Sequence, residues 1–496
     1  MNLAAMVEAH PADRPALVFE GEETSYGELR RLAGELRAQL AAAGVAPGDA
    51  VGLLLGASPA FVASYLAVLG SGAVAVPLNP QSPPAELDRE LQAVSARLLL
   101  CDDVAPATSC DRLVVDRRGG CEAPPGQLPP LLERAEDDPA VYLFTSGTAG
   151  PPRAAVLSHK ALHCNIEQMG MRVGLAARAD DVGLLAVPPY HVLGLNAVLG
   201  VHLYAGAKLV LLERFDPAEA LALVAAERVT LLAGVPQLFS ALLEAASSGE
   251  ELRSVRLACS GGGPLAEEVA SRFEERFGQP LFEGYGLTEA GPAVTFPDLS
   301  SPRRPGSVGL PLPGVEVRVV DEDGFSVEPG DPGEILVRGA NLFSGYLGDE
   351  AASRRALDGA GWLHTGDIGV FSEEGELSIV GRRKELVIVS GFNVYPGEVE
   401  EVLESHPLVA EAAVVGWPDE RTGEQVVAFV APVAQAWPET EEEPALEGAE
   451  LLELCAARLA RYKCPGSIRF LRQLPRNAQG KVLRRELVSG EVTPFL

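Results

Sequence analysis

At 496 residues, 47% of them apolar and only 6% aromatic, the chain is long enough for several domains whose cores are mainly Ala, Val and Leu. Its 40 basic and 69 acidic residues leave a formal charge of −29, which excludes nucleic acid and anionic lipid as partners bound by overall charge. An anionic ligand must therefore be held by locally clustered cations and backbone N–H groups.

The N-terminal "MNLAAMVEAHPADRP" has no basic stretch followed by an apolar core, so no secretory signal is expected. "SYGELRRLAGELRAQLAAAG" places apolar residues at three- and four-residue spacing and predicts a helix stopped by Gly44, followed by a buried strand in "DAVGLLL". The run at 60–78, "AFVASYLAVLGSGAVAVPL", is the most membrane-like of the chain. Its internal "GSG" and the lack of flanking Lys or Arg predict a buried helix, a turn and a buried strand, not a membrane span. "PAELDRELQAVSARLLL", "PAEALALVAAERVTLLAGVP" and "RSVRLACSGGGPLAEEVASRFEERFG" repeat the alternation of helix and strand, which predicts parallel α/β layers. Beyond about residue 300, "PGVEVRVVDEDGFSVEPGDPGEILVRG" reads as short strands joined by Asp-Gly and Pro-Gly turns. A further unit opens in "GRRKELVIVSGFNVYPGEVEEVLESHP", with Pro396 at the first helical position and Val399, Val402 and Leu403 as the apolar stripe. The acidic, Pro-rich segment 437–450 is expected to be a solvated loop or disordered insert. The seven cysteines show no C-x-x-C spacing, which argues against disulfides or a zinc site and for a cytoplasmic protein.

One stretch asks for a chemical explanation. In "YLFTSGTAGPPRAAVLSH", 142–159, a buried strand opens into a hydroxyl- and glycine-rich loop ending in a cation. Such a loop can turn N–H groups and hydroxyls onto phosphate, although on composition alone it is more often a plain turn. It is not a Walker loop, because Pro152 stands where the second glycine is required. His159 and His163, four apart on an expected helix, lack the glutamate of a zinc-protease motif and are not read as metal ligands.

The loop resembles the phosphate-binding signature of the class I adenylate-forming superfamily, which includes acyl-CoA synthetases, peptide-synthetase adenylation domains and firefly luciferase. Further segments match in the family's order: "PPYHVLGLN" (188–196), "GGGPLAEEV", "EGYGLTEAGP" (283–292), "GWLHTGDIG", "GRRKELVIVSGFNVYPGEVE" and "PRNAQGKVLRREL". The resemblance spans nearly the whole chain. It implies an α/β fold with a large N-terminal part of two α/β sheet subdomains and a distorted β-barrel, 1–382, and a small mobile α+β C-terminal domain, 383–496, hinged at Lys384.

It also implies roles. Thr145, Ser146, Gly147, Thr148 and Gly150 would wrap the β- and γ-phosphates of ATP, with Arg153 near the departing pyrophosphate. Gly262, Gly263, Glu283, Tyr285 and Gly286 would form the adenine side, Tyr285 stacking on the base. Thr288 would donate to the α-phosphate and Glu289 would hold Mg²⁺, a hard cation suited to one carboxylate plus phosphate oxygens. Asp367 and Arg382 would take the ribose, and His191 would orient the acid's carboxylate. Lys481 would bridge that carboxylate and the α-phosphate as charge builds. Rotation about Lys384 would then withdraw Lys481 and bring up the loop of Gly391 beside the pantetheine arm of coenzyme A.

Three positions depart from the family's usual loop: Ala149 for threonine, Arg153 for lysine and Ala154 for glycine, so weaker ATP binding or altered turnover is expected. The aliphatic surroundings of "LLAGVP" and "SGGGPL", with no cation for a second carboxylate, favour a fatty or other apolar monoacid. The expected acceptor is coenzyme A. The rival is a carrier-protein phosphopantetheine, disfavoured because no carrier sequence follows Leu496 and no long insertion separates "GYGLTE" from "HTGD". A non-enzymatic nucleotide-binding protein is disfavoured by the presence of Lys481. Oligomeric state is left open, with a homodimer as one option.

Overall fold

In the computed structural model, which describes residues 1–121, 128–145, 153–389, 392–419, 422–437, 444–476 and 482–489, the alternating pattern becomes two layered sheets. The first has the strand order Arg112–Val114, Leu98–Cys101, Ala50–Leu54, Val74–Pro77, Pro139–Thr145, Arg153–Ser158. Its neighbours are parallel except the last pair, an antiparallel hairpin in which Thr145 faces Arg153. The second has the order Leu281–Glu283, Leu257–Ser260, Leu231–Gly234, Val182–Leu185, Lys208–Leu211, Pro15–Phe19, Glu22–Ser25, parallel apart from its edge pair Pro15–Phe19 and Glu22–Ser25. The central strands Ala50–Leu54, Val74–Pro77 and Leu98–Cys101 are buried along their whole length, as parallel strands covered on both faces must be.

The helices between them start where the sequence supplies caps. Ser25 Oγ accepts from Glu28 N at the head of Tyr26–Ala42, and Ser58 precedes Pro59 at the head of Pro59–Gly70. All twelve residues of Pro59–Gly70 are buried, so the membrane-like run is a helix enclosed on every side, followed by the strand Val74–Pro77. Among the described residues no helix is long and apolar enough to cross a membrane.

Later in the chain come a three-stranded sheet (Tyr285–Gly286, Ala293–Phe296, Leu310–Pro311) and a four-stranded one (Val315–Val320, Gly333–Gly339, Leu363–Phe371, Leu377–Arg382). Contact density divides the chain into two units. One comprises Met1–Val317, Leu336–His364 and Gly375–Leu377; the other comprises Arg318–Ile335, Thr365–Glu374 and Ser378–Leu496. Segments before residue 383 join the second unit because they bond within it: Thr365 Oγ1 donates to Ile335 O at 2.8 Å, and Gly330 N to Phe371 O at 2.9 Å.

Pro396 opens the helix Pro396–Glu404, and Val399 and Leu403 are buried beneath it, as the apolar spacing predicts. This helix packs on the hairpin Val409–Asp419 and Gly423–Pro432, with Ser467–Phe470 alongside. The expectation of a solvated insert at 437–450 needs correction at its described ends. Trp437 and Leu446 are buried in this unit's core, Arg472 lies 4.5 Å over the Trp437 ring, and the helix Gly448–Arg458 begins inside the segment. Acidic composition hid two apolar anchors. Residues 438–443 lie outside the described residues.

His159 shows what pins the N-terminus. The ring is fully buried, and its Nδ1 accepts from Leu3 N at 3.1 Å, holding the short turn Leu3–Val7. Burial, then Arg134 and the N-terminal ammonium, push this imidazole down to about 4. The folded state thus takes up its proton later than the unfolded chain as pH falls, so the contribution is intact above pH 6.5 and lost between 6.5 and 4. Denaturant unfolding at pH 7 and pH 4.5 should show wild type losing on the order of 3 kcal/mol more than His159→Gln across that interval.

Candidate active site

Parallel sheets present ligand crevices at the carboxyl ends of their strands. Strand Leu257–Ser260 runs into the glycines 261–263, and its neighbour Leu281–Glu283 runs into Tyr285 and Gly286. Leu265 N donates to Glu283 Oε1 at 3.0 Å and ties the glycine loop to that strand. Burial raises the Glu283 carboxyl to about 7, although the Leu265 N–H and Arg303 oppose the shift. Gly286 admits no side chain: a Cβ there would lie 2.1 Å from Pro292 O across the hairpin.

Thr288 and Glu289 follow in the 3₁₀ turn Thr288–Ala290. Glu289 Oε1 accepts from Tyr346 Oη at 2.7 Å, and burial together with the Glu289 charge raises that phenol's pKa steeply. The Arg153 guanidinium lies 5.8 Å over the Tyr346 ring, and its Nε donates to Asp349 Oδ2 at 3.0 Å. Asp349 in turn caps the helix Glu350–Ala356 through Ala352 N at 2.9 Å. One short segment, "GYLGD", therefore fixes both the carboxylate expected to take a metal and the cation expected to meet phosphate. Sequence reasoning passed over Tyr346 and Asp349; the only local signal was an aspartate just ahead of a helix.

Thr145 ends its strand with Oγ1 donating to Arg153 O at 3.4 Å, so the two flanks of the expected phosphate loop are paired. Ser146, Gly147, Thr148, Ala149 and Gly150 lie outside the described residues.

His191 follows two prolines; its N–H donates to Pro188 O at 3.1 Å and its carbonyl accepts from Leu195 N at 2.8 Å. The chain then winds as a π-helix, Leu193–Gly200, continued by Val201–Ala205. The His191 ring meets Tyr190 edge-on at 4.7 Å, and burial pushes its pKa down to about 4. It is therefore a neutral imidazole near pH 7, able to donate or accept a hydrogen bond without contributing charge. A cavity of about 50 Å³ lies between this helix and the strands Leu231–Gly234 and Leu257–Ser260. Its walls include Met169, Ala197, Val198, Leu232 and Ala233; the polar exceptions are Cys259 and His202, an imidazole whose pKa burial also lowers.

In the second unit, Asp367 is 4% exposed and its Oδ1 lies 3.0 Å from Arg382 Nε. Gly366, at φ +69°, precedes it within the strand Leu363–Phe371, with Gly366 N donating to Glu334 Oε1 at 3.2 Å. Lys384 is exposed on the turn Arg383–Glu385. Its neighbour Glu385 pairs with the half-buried Arg484 at 3.0 Å, which also holds Glu400. Gly391 and Lys481 lie outside the described residues. His159 and His163 engage different partners, Leu3 N and the Glu167–Tyr204 pair.

Most of the chain matches known protein families. The AMP-binding enzyme family matches residues 3–347, and the AMP-binding enzyme C-terminal domain matches 398–481. Among curated proteins, 4-coumarate–CoA ligase 2 of Oryza sativa subsp. japonica is 35% identical over 96% of this chain and 89% of its own. A long-chain-fatty-acid–CoA ligase of Escherichia coli O157:H7 is 32% identical over 97% and 92%. Among solved structures, o-succinylbenzoate coenzyme A synthetase from Bacillus subtilis, in complex with ATP and magnesium ion, superimposes with a TM-score of 0.87 at 31% identity, over 98% of this chain and 99% of that one.

Because the folded state prefers protonated Glu283, stability should fall as pH rises from 4.5 through 7. Glu283→Gln removes that decline, and thermal unfolding at pH 8 should find it more stable than wild type by on the order of 1–3 kcal/mol, with no such gain at pH 5.

Proposed function

The chain belongs to the AMP-binding enzyme family, and from that premise we propose that it joins an apolar monocarboxylic acid to coenzyme A through an acyl-adenylate. Ligation of an acid to coenzyme A is the activity for which its relatives are named; the acid and the residue roles are proposed. The observation that carries it is the fixed pair around Tyr346, in which Glu289 stands ready for a hard cation and Arg153 for phosphate oxygens. Glu289 fits Mg²⁺ because Tyr346 occupies one side of the carboxylate and substrate phosphates can complete the oxygen set. When bound, the metal offsets charge on the phosphates.

In the first half-reaction a carboxylate oxygen of the acid attacks the α-phosphorus, the bond from that phosphorus to the β-bridging oxygen breaks, and pyrophosphate departs. Neutral His191 orients the carboxylate without adding charge, Thr288 donates to the α-phosphate, and Lys481 supplies the cation between the two anions. Thr145, with Ser146, Gly147, Thr148 and Gly150, receives the outer phosphates; Asp367 and Arg382 receive the ribose. In the second half-reaction the coenzyme A thiolate attacks the acyl carbon and AMP leaves with the bonding pair. Movement about Lys384, with the loop of Gly391 replacing Lys481, is proposed to separate the two.

The acid is read as apolar because the cavity beside the π-helix Leu193–Gly200 has aliphatic walls and its His202 is uncharged. Its volume corresponds to a few water-sized positions, room for the end of a short alkyl chain. A panel of alkyl, aryl and dicarboxylic acids with ATP and coenzyme A, followed for AMP and thioester together, should give both products in equal amounts with apolar monoacids. Lys481→Ala should lower acid-dependent AMP formation at least a hundredfold. AMP without thioester would turn the assignment toward a carrier-protein thiol, and unchanged AMP formation in Lys481→Ala would overturn the role given to that lysine.

A further inference from the structure

Residues 287–293 have little regular structure to satisfy their own backbone, yet Ala290 at their centre is fully buried. A buried carbonyl without a donor costs about 1–3 kcal/mol, so the donors of this segment can be asked for one by one. Glu289 O accepts from Phe343 N at 2.9 Å and Pro292 O from Leu287 N at 3.0 Å. Leu287 O accepts from Ala290 N at 3.0 Å and Thr288 O from Gly291 N at 3.2 Å, and the remaining three are met by side-chain amides. Asn341 Nδ2 donates to Ala290 O at 2.7 Å, Asn196 Nδ2 to Gly291 O at 2.7 Å, and Asn165 Nδ2 to Ala293 O at 2.8 Å. Asn165 Oδ1 also accepts from Ala293 N at 2.9 Å, imitating a neighbouring strand.

The three asparagines come from separate parts of the chain: the helix His159–Met171, the π-helix Leu193–Gly200, and the turn after Gly333–Gly339. Gln168 joins two of them, accepting from Asn165 Nδ2 at 3.2 Å and donating to Asn341 Oδ1 at 3.4 Å. Asn196 spends its other proton on Leu162 O at 3.1 Å. None of the four amides is more than 6% exposed. Four buried amides are an expensive way to fill a core, and a network of this kind fixes one backbone geometry where apolar packing would tolerate several. The first residue it holds, Ala290, directly follows Thr288 and Glu289 in the same 3₁₀ turn.

We propose that Asn165, Asn196 and Asn341, linked by Gln168, are positioning residues that hold the backbone of Thr288 and Glu289 in the geometry needed for adenylate formation. The inference rests on the roles given to Thr288 and Glu289 above. It assigns the amides to the first half-reaction only, since attack of a thiolate on a finished adenylate does not call on the metal-side carboxylate. Asn196 adds a link of its own: it lies between His191 and the cavity-lining Ala197 and Val198, so the helix that borders the acid is bonded to the segment that meets phosphate and metal.

The test uses full-length Asn196→Asp and Asn341→Asp, which keep side-chain shape while replacing a donor with an acceptor, and Gln168→Met as a milder variant that keeps volume. Acid-dependent pyrophosphate exchange should fall ten- to a hundredfold in the two Asp variants and two- to tenfold in Gln168→Met. The Mg²⁺ concentration for half-maximal exchange should rise, and the acid KM should stay within twofold. Thioester formation from a supplied synthetic acyl-adenylate and coenzyme A should remain within twofold of wild type. In nucleotide-free protein, hydrogen exchange at amides 287–293 should quicken at least tenfold while exchange in strand Ala50–Leu54 is unchanged. Parallel loss of both half-reactions, or unchanged exchange at 287–293 in the folded Gln168→Met protein, would overturn the proposal. Wild type without any acid-dependent exchange would instead overturn the functional reading beneath it.

Discussion

A carboxylate and a triphosphate repel one another, and every part of the arrangement answers to that repulsion. The chain makes the problem harder, because its own charge of −29 disfavours any anion. Overall field cannot gather the substrates, so fixed local groups must. In the two units such groups are held by partners: Arg153 by Asp349 and the Tyr346 ring, Arg382 by Asp367, Glu289 by Tyr346. Paired charges cost little reorganisation when a ligand arrives, which is the physical content of preorganised electrostatics.

Geometry then divides the labour. Neutral His191 and the aliphatic cavity beside the π-helix are the grounds on which an acid whose only charge is its carboxylate is proposed. The hairpin that requires Gly286, and the amides behind residues 289–293, hold the metal-side turn without offering it a competing charge. Phosphate chemistry is assigned to the first unit, and the proposed motion is left to the chain after Lys384.

Much of this was legible in the sequence because it rests on local grammar. Pro59, Pro217 and Pro396 at helix starts, Gly44 beyond the end of the helix Tyr26–Ala42, and uninterrupted apolar runs at Ala50–Leu54 and Leu98–Cys101 each follow from short-range sterics or burial. The motif residues Glu283, Gly286, Glu289, Asp367 and Arg382 were found by their order along the chain. What the sequence hid is long-range pairing. Tyr346 lies 57 residues from Glu289, and Asp349 lies 196 from Arg153. Asn165, Asn196 and Asn341 sit in apolar or unremarkable surroundings, where an asparagine usually suggests a cap or a turn. Segment 437–450 misled for the opposite reason, since its acidic composition outweighed Trp437 and Leu446, which are buried.

The central claim is that the acid's own oxygen becomes bonded to the α-phosphorus of ATP. Incubating the enzyme with ATP, coenzyme A and a monoacid bearing ¹⁸O in both carboxylate oxygens, then weighing the products by mass spectrometry, follows that oxygen directly. The account predicts one ¹⁸O in each AMP released and none in pyrophosphate. Unlabelled AMP, or label appearing in inorganic phosphate beside ADP, would contradict it.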